Sequence, residues 1–182
     1  MTDAPDPSPL PFPLAVVVYD GDFDIGGFLA EACDRLAARG DLVLGGVVPK
    51  NGGFHANGRH EMLLEDVASG ETTLISQELG AGADGCILDT DGLTHARIAI
   101  SEAIGRGVDL VVVGKFSKQE AAGHGVRDEI AEALGAGIPT LLAMRERHRD
   151  AWGAFAGPDW VELPRDVDAV VAWARAATGR DA

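Results

Sequence analysis

Three short apolar runs constrain the fold of this chain more than any other feature. They cover residues 14–19, 108–113 and 138–143 and are rich in valine, isoleucine and leucine. Such runs are typical of strands buried on both faces, as in a parallel sheet. A further strand is expected at 42–48, ended by Pro49, and segments with helical spacing alternate with the strands. The pattern predicts an α/β fold with a doubly wound, mainly parallel sheet and right-handed crossovers.

The remaining elements follow from local signals. Turn residues such as Asn51-Gly52-Gly53 and short apolar segments between 50 and 76 predict an antiparallel meander beside the parallel sheet. Helices are expected at 25–39, from Thr90 or Asp91 to about 105, 125–134, 145–155 and 166–177, with short strands at 85–88 and 160–163.

The first thirteen residues differ from the rest of the chain in composition. They contain five prolines at alternate positions, which favours an extended, solvated tail. We therefore expect a disordered tail at 1–13 and a single α/β domain at 14–182, without repeats or a second domain.

The charge balance limits the classes of partner. With 15 basic and 29 acidic residues the formal net charge is −14, which disfavours nucleic acid and anionic membrane surfaces. No apolar run approaches the roughly 20 residues of a membrane helix, and no signal-type segment is present. Two cysteines, Cys33 and Cys86, indicate a reducing compartment. We therefore predict a cytoplasmic protein that does not insert into membranes.

The loop after the first strand has the glycine spacing of a phosphate-binding loop, or P-loop. Gly21 and Gly26 are spaced as in that motif, but Gly27 and Phe28 stand where it has Lys and Ser or Thr. Gly27 supplies no charge for the β- and γ-phosphates, and Phe28 supplies no oxygen for magnesium. A plain turn between a strand and a helix remains the alternative, because a glycine pattern alone is weak evidence.

Three aspartates in the same loop add negative charge where a triphosphate would need a cation. Like charges at 4 Å repel by about 4 kcal/mol at an effective dielectric of 20, so tight triphosphate binding is not expected. Backbone N–H groups at the helix start still favour an anion there. The aspartates are Asp20, Asp22 and Asp24.

Three stretches carry a family resemblance that covers nearly everything after Pro13. They are Tyr19–Asp22, Gly85–Leu93 and Lys115–Gly125. With them the chain resembles an uncharacterised bacterial family, distantly related to THEP-type P-loop nucleoside triphosphatases and often encoded near molybdate-uptake genes. The resemblance implies a P-loop NTPase-like fold, an anion contact at Arg59 and a link to molybdenum homeostasis.

The chain departs from the THEP-type pattern where magnesium would be bound. Gly114-Lys115 stands in place of the Walker-B Asp-Glu, although Glu120 matches a downstream glutamate. Ordinary Mg-dependent phosphoryl transfer is therefore not expected. Lys115 and Lys118 are gained in the loop that would face the aspartates across one cleft. Either these charges form ion pairs that close the cleft, or the lysines form an oxyanion pocket with Gly123 and Gly125.

Other candidates are less specific. His124 is either an acid-base group or a mobile loop histidine, and Lys115, Glu120 and His124 are the candidate catalytic residues. Asp20, Asp22 and Cys86 are weak metal candidates, because no standard zinc spacing is present.

The sequence thus predicts a protein with degenerate Walker A and Walker B motifs that binds a small anion or nucleotide. The ligand would be a nucleotide, molybdate or a divalent metal, and a homodimer is possible. The predicted ligand-binding residues are Asp20, Gly21, Asp22, Asp24, Gly26, Gly27, Arg59, Lys115, Lys118, Gly123 and Gly125. The alternatives are a divergent nucleoside triphosphatase or nucleotide transferase, and a non-catalytic interaction scaffold.

Overall fold

The computed structural model describes residues 12–56, 58, 60–77, 87–88 and 90–180. The strands are β1 (Leu14–Tyr19), β2 (Leu44–Phe54), β3 (His60–Asp66), β4 (Thr72–Leu74), β5 (Ser76–Gln77), β6 (Ile87–Leu88), β7 (Leu110–Phe116), β8 (Thr140–Arg145) and β9 (Val161–Leu163). The helices are α1 (Ile25–Ala37), α2 (Thr90–Arg106), α3 (Lys118–Ala121), α4 (Arg127–Gly135), α5 (Arg149–Ala156) and α6 (Val167–Ala177), with a 3-10 turn at Glu146–His148.

Seven strands form one mixed sheet in the order β4-β3-β2-β7-β8-β1-β9. The five strands from β2 to β9 in this order are parallel, whereas β3 and β4 pair antiparallel at one end. The predicted α/β fold with an antiparallel meander is confirmed, and it is consistent with the P-loop NTPase-like type. Strands β5 and β6 form a separate antiparallel pair.

Helices cover both faces of the sheet. Helices α1 and α6 pack over one face, and α2, α4 and α5 pack over the other. Strands β1, β7 and β8 are almost fully buried, which explains their largely apolar sequences. Trp152 of α5 is completely buried and packs edge-on against Phe116 at the end of β7, with ring centroids 5.2 Å apart.

Strand β2 is longer than its sequence indicated. We expected Pro49 to end it, yet the strand continues to Phe54 as a ribbon with β3. Pairing with β7 ends at Val47, and the Pro49 ring lies against Gly114 on that side. Proline is tolerated because the strand has no neighbour there that needs a backbone N–H.

The segment just before β1 contacts the domain. The backbone carbonyl of Phe12 accepts from Trp173 Nε1 at 3.2 Å, and that of Pro13 accepts from Thr140 N at 2.7 Å. The rest of the proline-rich tail, residues 1–11, lies outside the described residues. Within the described part of the chain, no helix combines the length and the apolar character needed to cross a bilayer.

Candidate functional site

The loops after β1, β7, β8 and β9 all lie at the carboxyl-end edge of the parallel strands. This edge is where open α/β sheets bind their ligands. Strand β8 lies between β1 and β7, so the loops after β1 and β7 are not direct neighbours. The segment that follows β8 therefore occupies the centre of the edge.

In the loop after β1, Asp24 caps helix α1. Its Oδ1 accepts from Gly27 N at 3.0 Å, and a Cβ at Gly27 would lie 2.5 Å from Asp24 Oδ2. The carboxylate thus satisfies an N–H group that a P-loop would offer to phosphate, and it complements the positive end of the helix dipole. At this helix start the protein supplies its own anion.

Aromatic packing fills the same loop. Phe28, at the position of the P-loop hydroxyl, packs on Phe23 with ring centroids 5.5 Å apart, and Phe23 lies 6.4 Å from Tyr19. The Arg165 guanidinium lies 5.4 Å from the Phe23 ring centroid. These contacts stabilise a turn with no oxygen at position 28, so the structure supplies no magnesium ligand there.

Beside this turn lies a depression of about 240 Å³ that contains Asp24, Gly26 and Gly27. In its wall Lys50 forms an ion pair with Glu65, so the Lys50 charge is already neutralised and the Asp24 carboxylate remains as the other charged group. The depression therefore disfavours a triphosphate.

The other two aspartates of the loop, Asp20 and Asp22, are exposed. Among the described residues, no group of three His, Cys, Asp or Glu side chains is placed to hold a metal.

Glu120 is a buried carboxylate that organises the loop after β7. Its Oε2 accepts from Ser117 N at 2.9 Å and Ser117 Oγ at 2.8 Å, and its Oε1 accepts from Val126 N at 3.2 Å. Gly125 has φ +66° and leaves no room for a Cβ beside Oε1. Glu120 is only 3% exposed, and both of its oxygens are engaged in hydrogen bonds within the loop.

The lysines and His124 of this loop differ in exposure. Lys115 is half-buried and lines a small cavity of about 50 Å³ with Ser117 and Glu120. Lys118, at the start of α3, is exposed, as is His124. Lys115 and Asp24 line separate depressions. Two further predicted residues, Arg59 and Cys86, lie outside the described residues.

The sequence analysis missed two arginines at the end of β8. Arg145 Nη1 donates to the Gly21 carbonyl at 3.2 Å, and its guanidinium lies 5.2 Å from the Tyr19 ring centroid. Arg147 Nε donates to His148 Nε2 at 3.3 Å. A sequence feature that could have indicated them is the group of three arginines within residues 145–149, directly after a predicted buried strand in an acidic chain.

Two neutral groups stand beside these arginines. Burial, reinforced by the Arg147 charge, lowers the pKa of His148, so a neutral imidazole can accept the Arg147 bond. Burial also raises the pKa of Tyr19, although the Arg145 charge opposes that shift. Near pH 7 the two guanidinium groups thus face an imidazole and a phenol that carry no charge.

Basic side chains without a carboxylate partner concentrate at this edge. Some basic side chains in the described ranges form no ion pair with a described carboxylate. Of these, Arg39 lies away from this edge, at the opposite end of α1. Carboxylates such as Asp20 and Glu146 lie at the same edge, so an anion is favoured there by the guanidinium groups that have no described ion pair and not by the net charge. The members at the edge are Lys118, Arg127, Arg145, Arg147 and Arg165.

The fold is that of an α/β domain and is consistent with the P-loop NTPase-like type. A family model described as "Protein of unknown function (DUF2478)" matches residues 14–173. The chain belongs to this DUF2478 family, which confirms the expected membership of an uncharacterised family. The finer likeness to THEP-type enzymes stays a prediction.

One curated relative is a transport protein. The chain is 38% identical over 167 residues to the "Molybdenum import ATP-binding protein ModC 2" of Bradyrhizobium diazoefficiens. That match covers 92% of this chain but 18% of the relative, so the chain spans less than a fifth of the relative's length. No solved structure matches the chain.

Proposed function

We propose that this domain binds a small tetrahedral oxyanion at the carboxyl-end edge of its sheet and does not act as an ordinary Mg-dependent nucleoside triphosphatase. The observation that carries the proposal is the pair Arg145 and Arg147, which lack described carboxylate partners in a strongly acidic protein. The ligand site is thus centred on the segment after β8 instead of the glycine turn after β1.

The chemistry of the two side chains suits a doubly charged oxyanion. A guanidinium group offers several N–H donors in a planar fork, and its hydrogen bonds to anions are charge-assisted. Arg145 is held by the Gly21 carbonyl and the Tyr19 ring, so it is positioned before a ligand arrives. At 4 Å and an effective dielectric of 20, each charge pair contributes about 4 kcal/mol before desolvation is subtracted.

The loop after β1 supports a ligand smaller than a nucleoside triphosphate. The Asp24 carboxylate already caps the helix, and Phe23 and Phe28 pack where a P-loop would expose polar groups. A triphosphate at the glycine turn would displace the cap and meet uncompensated negative charge. A single tetrahedral anion at Arg145 and Arg147 leaves the Asp24 cap in place and meets two guanidinium groups.

Molybdate is the first candidate ligand. It is a tetrahedral dianion, and the relative from Bradyrhizobium diazoefficiens is by name a component of molybdenum import. We propose that the domain serves molybdenum homeostasis in the cytoplasm, as an oxyanion-binding partner of an ATP-binding importer component. Homodimer formation stays a prediction.

The test compares two variants that each lose one arginine charge. The full chain is titrated with molybdate, tungstate, sulfate, phosphate and ATP with and without Mg²⁺, using calorimetry and thermal melting. Binding to the native state raises the melting temperature by mass action. We expect molybdate or tungstate to bind the wild type and the Arg39→Gln control alike. Arg147→Gln should weaken binding by about tenfold or more, since a charge-assisted hydrogen bond is lost.

Two results would count against the proposal. Equal weakening in Arg147→Gln and Arg39→Gln would show a general charge effect without a site. Saturable binding of Mg-ATP at residues 21–28, with hydrolysis at rates typical of enzymes, would instead support the divergent nucleoside triphosphatase.

A further inference from the structure

A groove between α2 and α4 contains a buried carboxylate oxygen with no partner. The groove has a volume of about 290 Å³ and is lined by Thr94, Arg97, Ile98, Ser101, Glu102 and Glu129. It lies on the helical surface, and none of its lining residues belongs to the loops after β1, β8 or β9. It is therefore separate from the proposed oxyanion site.

Glu129 is the unusual member of this groove. It is 5% exposed, and its Oε1 accepts from Arg97 Nε at 2.7 Å. Its Oε2 is buried and has no hydrogen-bond partner among the described residues. A buried carboxylate oxygen without a donor is costly, so this atom favours a ligand that brings an N–H group.

Two donors already in the groove are directed elsewhere. Arg97 reaches Asp128 with Nη2 at 3.8 Å, and the Ser101 hydroxyl donates to Glu132 at 3.2 Å. Neither of these contacts serves Oε2 of Glu129. Because the described residues give this oxygen no donor, a molecule that enters the groove can supply one.

The local charge and the apolar wall define the chemistry of that molecule. Four carboxylates surround the groove against the two guanidinium groups of Arg97 and Arg106, so an added cation is favoured. Ile98 is 50% exposed and offers an apolar surface for an alkyl stem. The carboxylates are those of Glu102, Asp128, Glu129 and Glu132.

We propose that this groove is a binding site for an alkylammonium group, with the ammonium donating to Glu129 Oε2 and the alkyl stem lying on Ile98. The same chemistry is carried by a free aliphatic amine and by a lysine side chain of a peptide. Both sources enter the test as separate arms.

The experiment titrates the full chain, labelled with ¹⁵N, with n-butylammonium chloride and follows the amide signals of 94–102 and 127–135 by NMR. Tetramethylammonium chloride is the control cation, because it has the same charge and no N–H donor. A short lysine-containing peptide and its norleucine analogue form the second arm. Saturation by butylammonium and by the lysine peptide, without saturation by tetramethylammonium, is the expected result.

Two variants test the assignment to Glu129. Glu129→Gln replaces the acceptor and its charge, and we expect butylammonium affinity to fall by about tenfold or more. Glu31→Gln, an exposed position of α1 on the other face of the sheet, loses the same charge and should bind as the wild type does. If Glu129→Gln does not fold, Ile98→Lys keeps Glu129 and places an ammonium in the groove, which should abolish saturation.

The outcomes distinguish a free amine from a peptide lysine as the ligand, and they also show when the proposal fails. Tighter binding of the lysine peptide identifies a protein partner, and tighter binding of the free amine identifies a small metabolite. Equal responses to butylammonium and tetramethylammonium would overturn the proposal, as would unchanged affinity in the Glu129 or Ile98 variant. Molybdate binding is measured on the same samples and is expected to be unaffected, which keeps this result distinct from the oxyanion test.

Discussion

Replacing Glu120 distinguishes a structural carboxylate from a catalytic one. In Glu120→Ala the backbone N–H groups of Ser117 and Val126 lose their acceptor, as does the Ser117 hydroxyl. Hydrogen bonds to a charged group are each worth about 1.5–3 kcal/mol, and the three are coupled, so they do not simply add. The hydroxyl can turn to water, which leaves two backbone donors and an expected loss of roughly 3–5 kcal/mol in the free energy of unfolding.

The assay is urea unfolding followed by tryptophan fluorescence, with thermal melting as a second readout. Trp152 packs on Phe116 directly before this loop and reports on it. For a domain of this size the expected fall in melting temperature is roughly 6–20 °C. Glu31→Ala, at an exposed position of α1, should stay within about 0.5 kcal/mol of the wild type.

The opposite result would refute the reasoning. Catalytic carboxylates commonly reduce stability, and their removal then stabilises the protein. If Glu120→Ala unfolds at the same urea concentration as the wild type, or at a higher one, the hydrogen bonds of Glu120 do not organise the loop. Glu120 would then return as a catalytic candidate.

Three further predictions concern Asp24, Cys33 and His148. Asp24→Ala should lower the free energy of unfolding by about 1 kcal/mol because the helix cap is lost, whereas Asp24→Asn should lie near the wild type in denaturant titrations. Burial raises the pKa of the Cys33 thiol to about 12, so little reactive thiolate is present at pH 8. In a Cys86→Ser background, an aromatic disulfide reagent should therefore label Cys33 only after denaturation. Rapid labelling of the native protein would contradict this. The pKa of His148 is lower in the folded state than in the unfolded state, so its contribution to stability is intact above the unfolded pKa of about 6.5 and declines as the pH falls below it. Between pH 7 and pH 5 the stability of His148→Gln should therefore depend less on pH than that of the wild type, and identical slopes would refute this.

The sequence was sufficient to locate the buried strands because a strand that is covered on both faces is apolar at almost every position. The apolar runs at 14–19, 108–113 and 138–143 mark strands β1, β7 and β8, although β7 begins at Leu110 and β8 at Thr140. Pro49 was misread because its tolerance depends on where pairing with β7 ends, and that is a property of the neighbouring strand. The local sequence pattern thus located the buried strands, but the residues at which the strands end depend on tertiary contacts.

The candidate site was less accessible to sequence reasoning. The prediction that the aspartates face Lys115 and Lys118 assumed neighbouring loops, but β8 lies between β1 and β7. Strand order is set by long-range packing, which no local motif encodes. Arg145 and Arg147 were missed because the segment was interpreted as part of a helix, whereas β8 continues to Arg145 and a 3-10 turn follows.

The Asp24 cap has a consequence for how this loop can vary among relatives. A side chain at position 27 would need its Cβ 2.5 Å from Asp24 Oδ2, so the carboxylate would have to rotate away and release the Gly27 N–H. The Asp24 cap on the Gly27 N–H and a side chain at position 27 are therefore mutually exclusive in this backbone. We therefore expect positions 24 and 27 to covary among relatives, with an aspartate at 24 accompanying a glycine at 27.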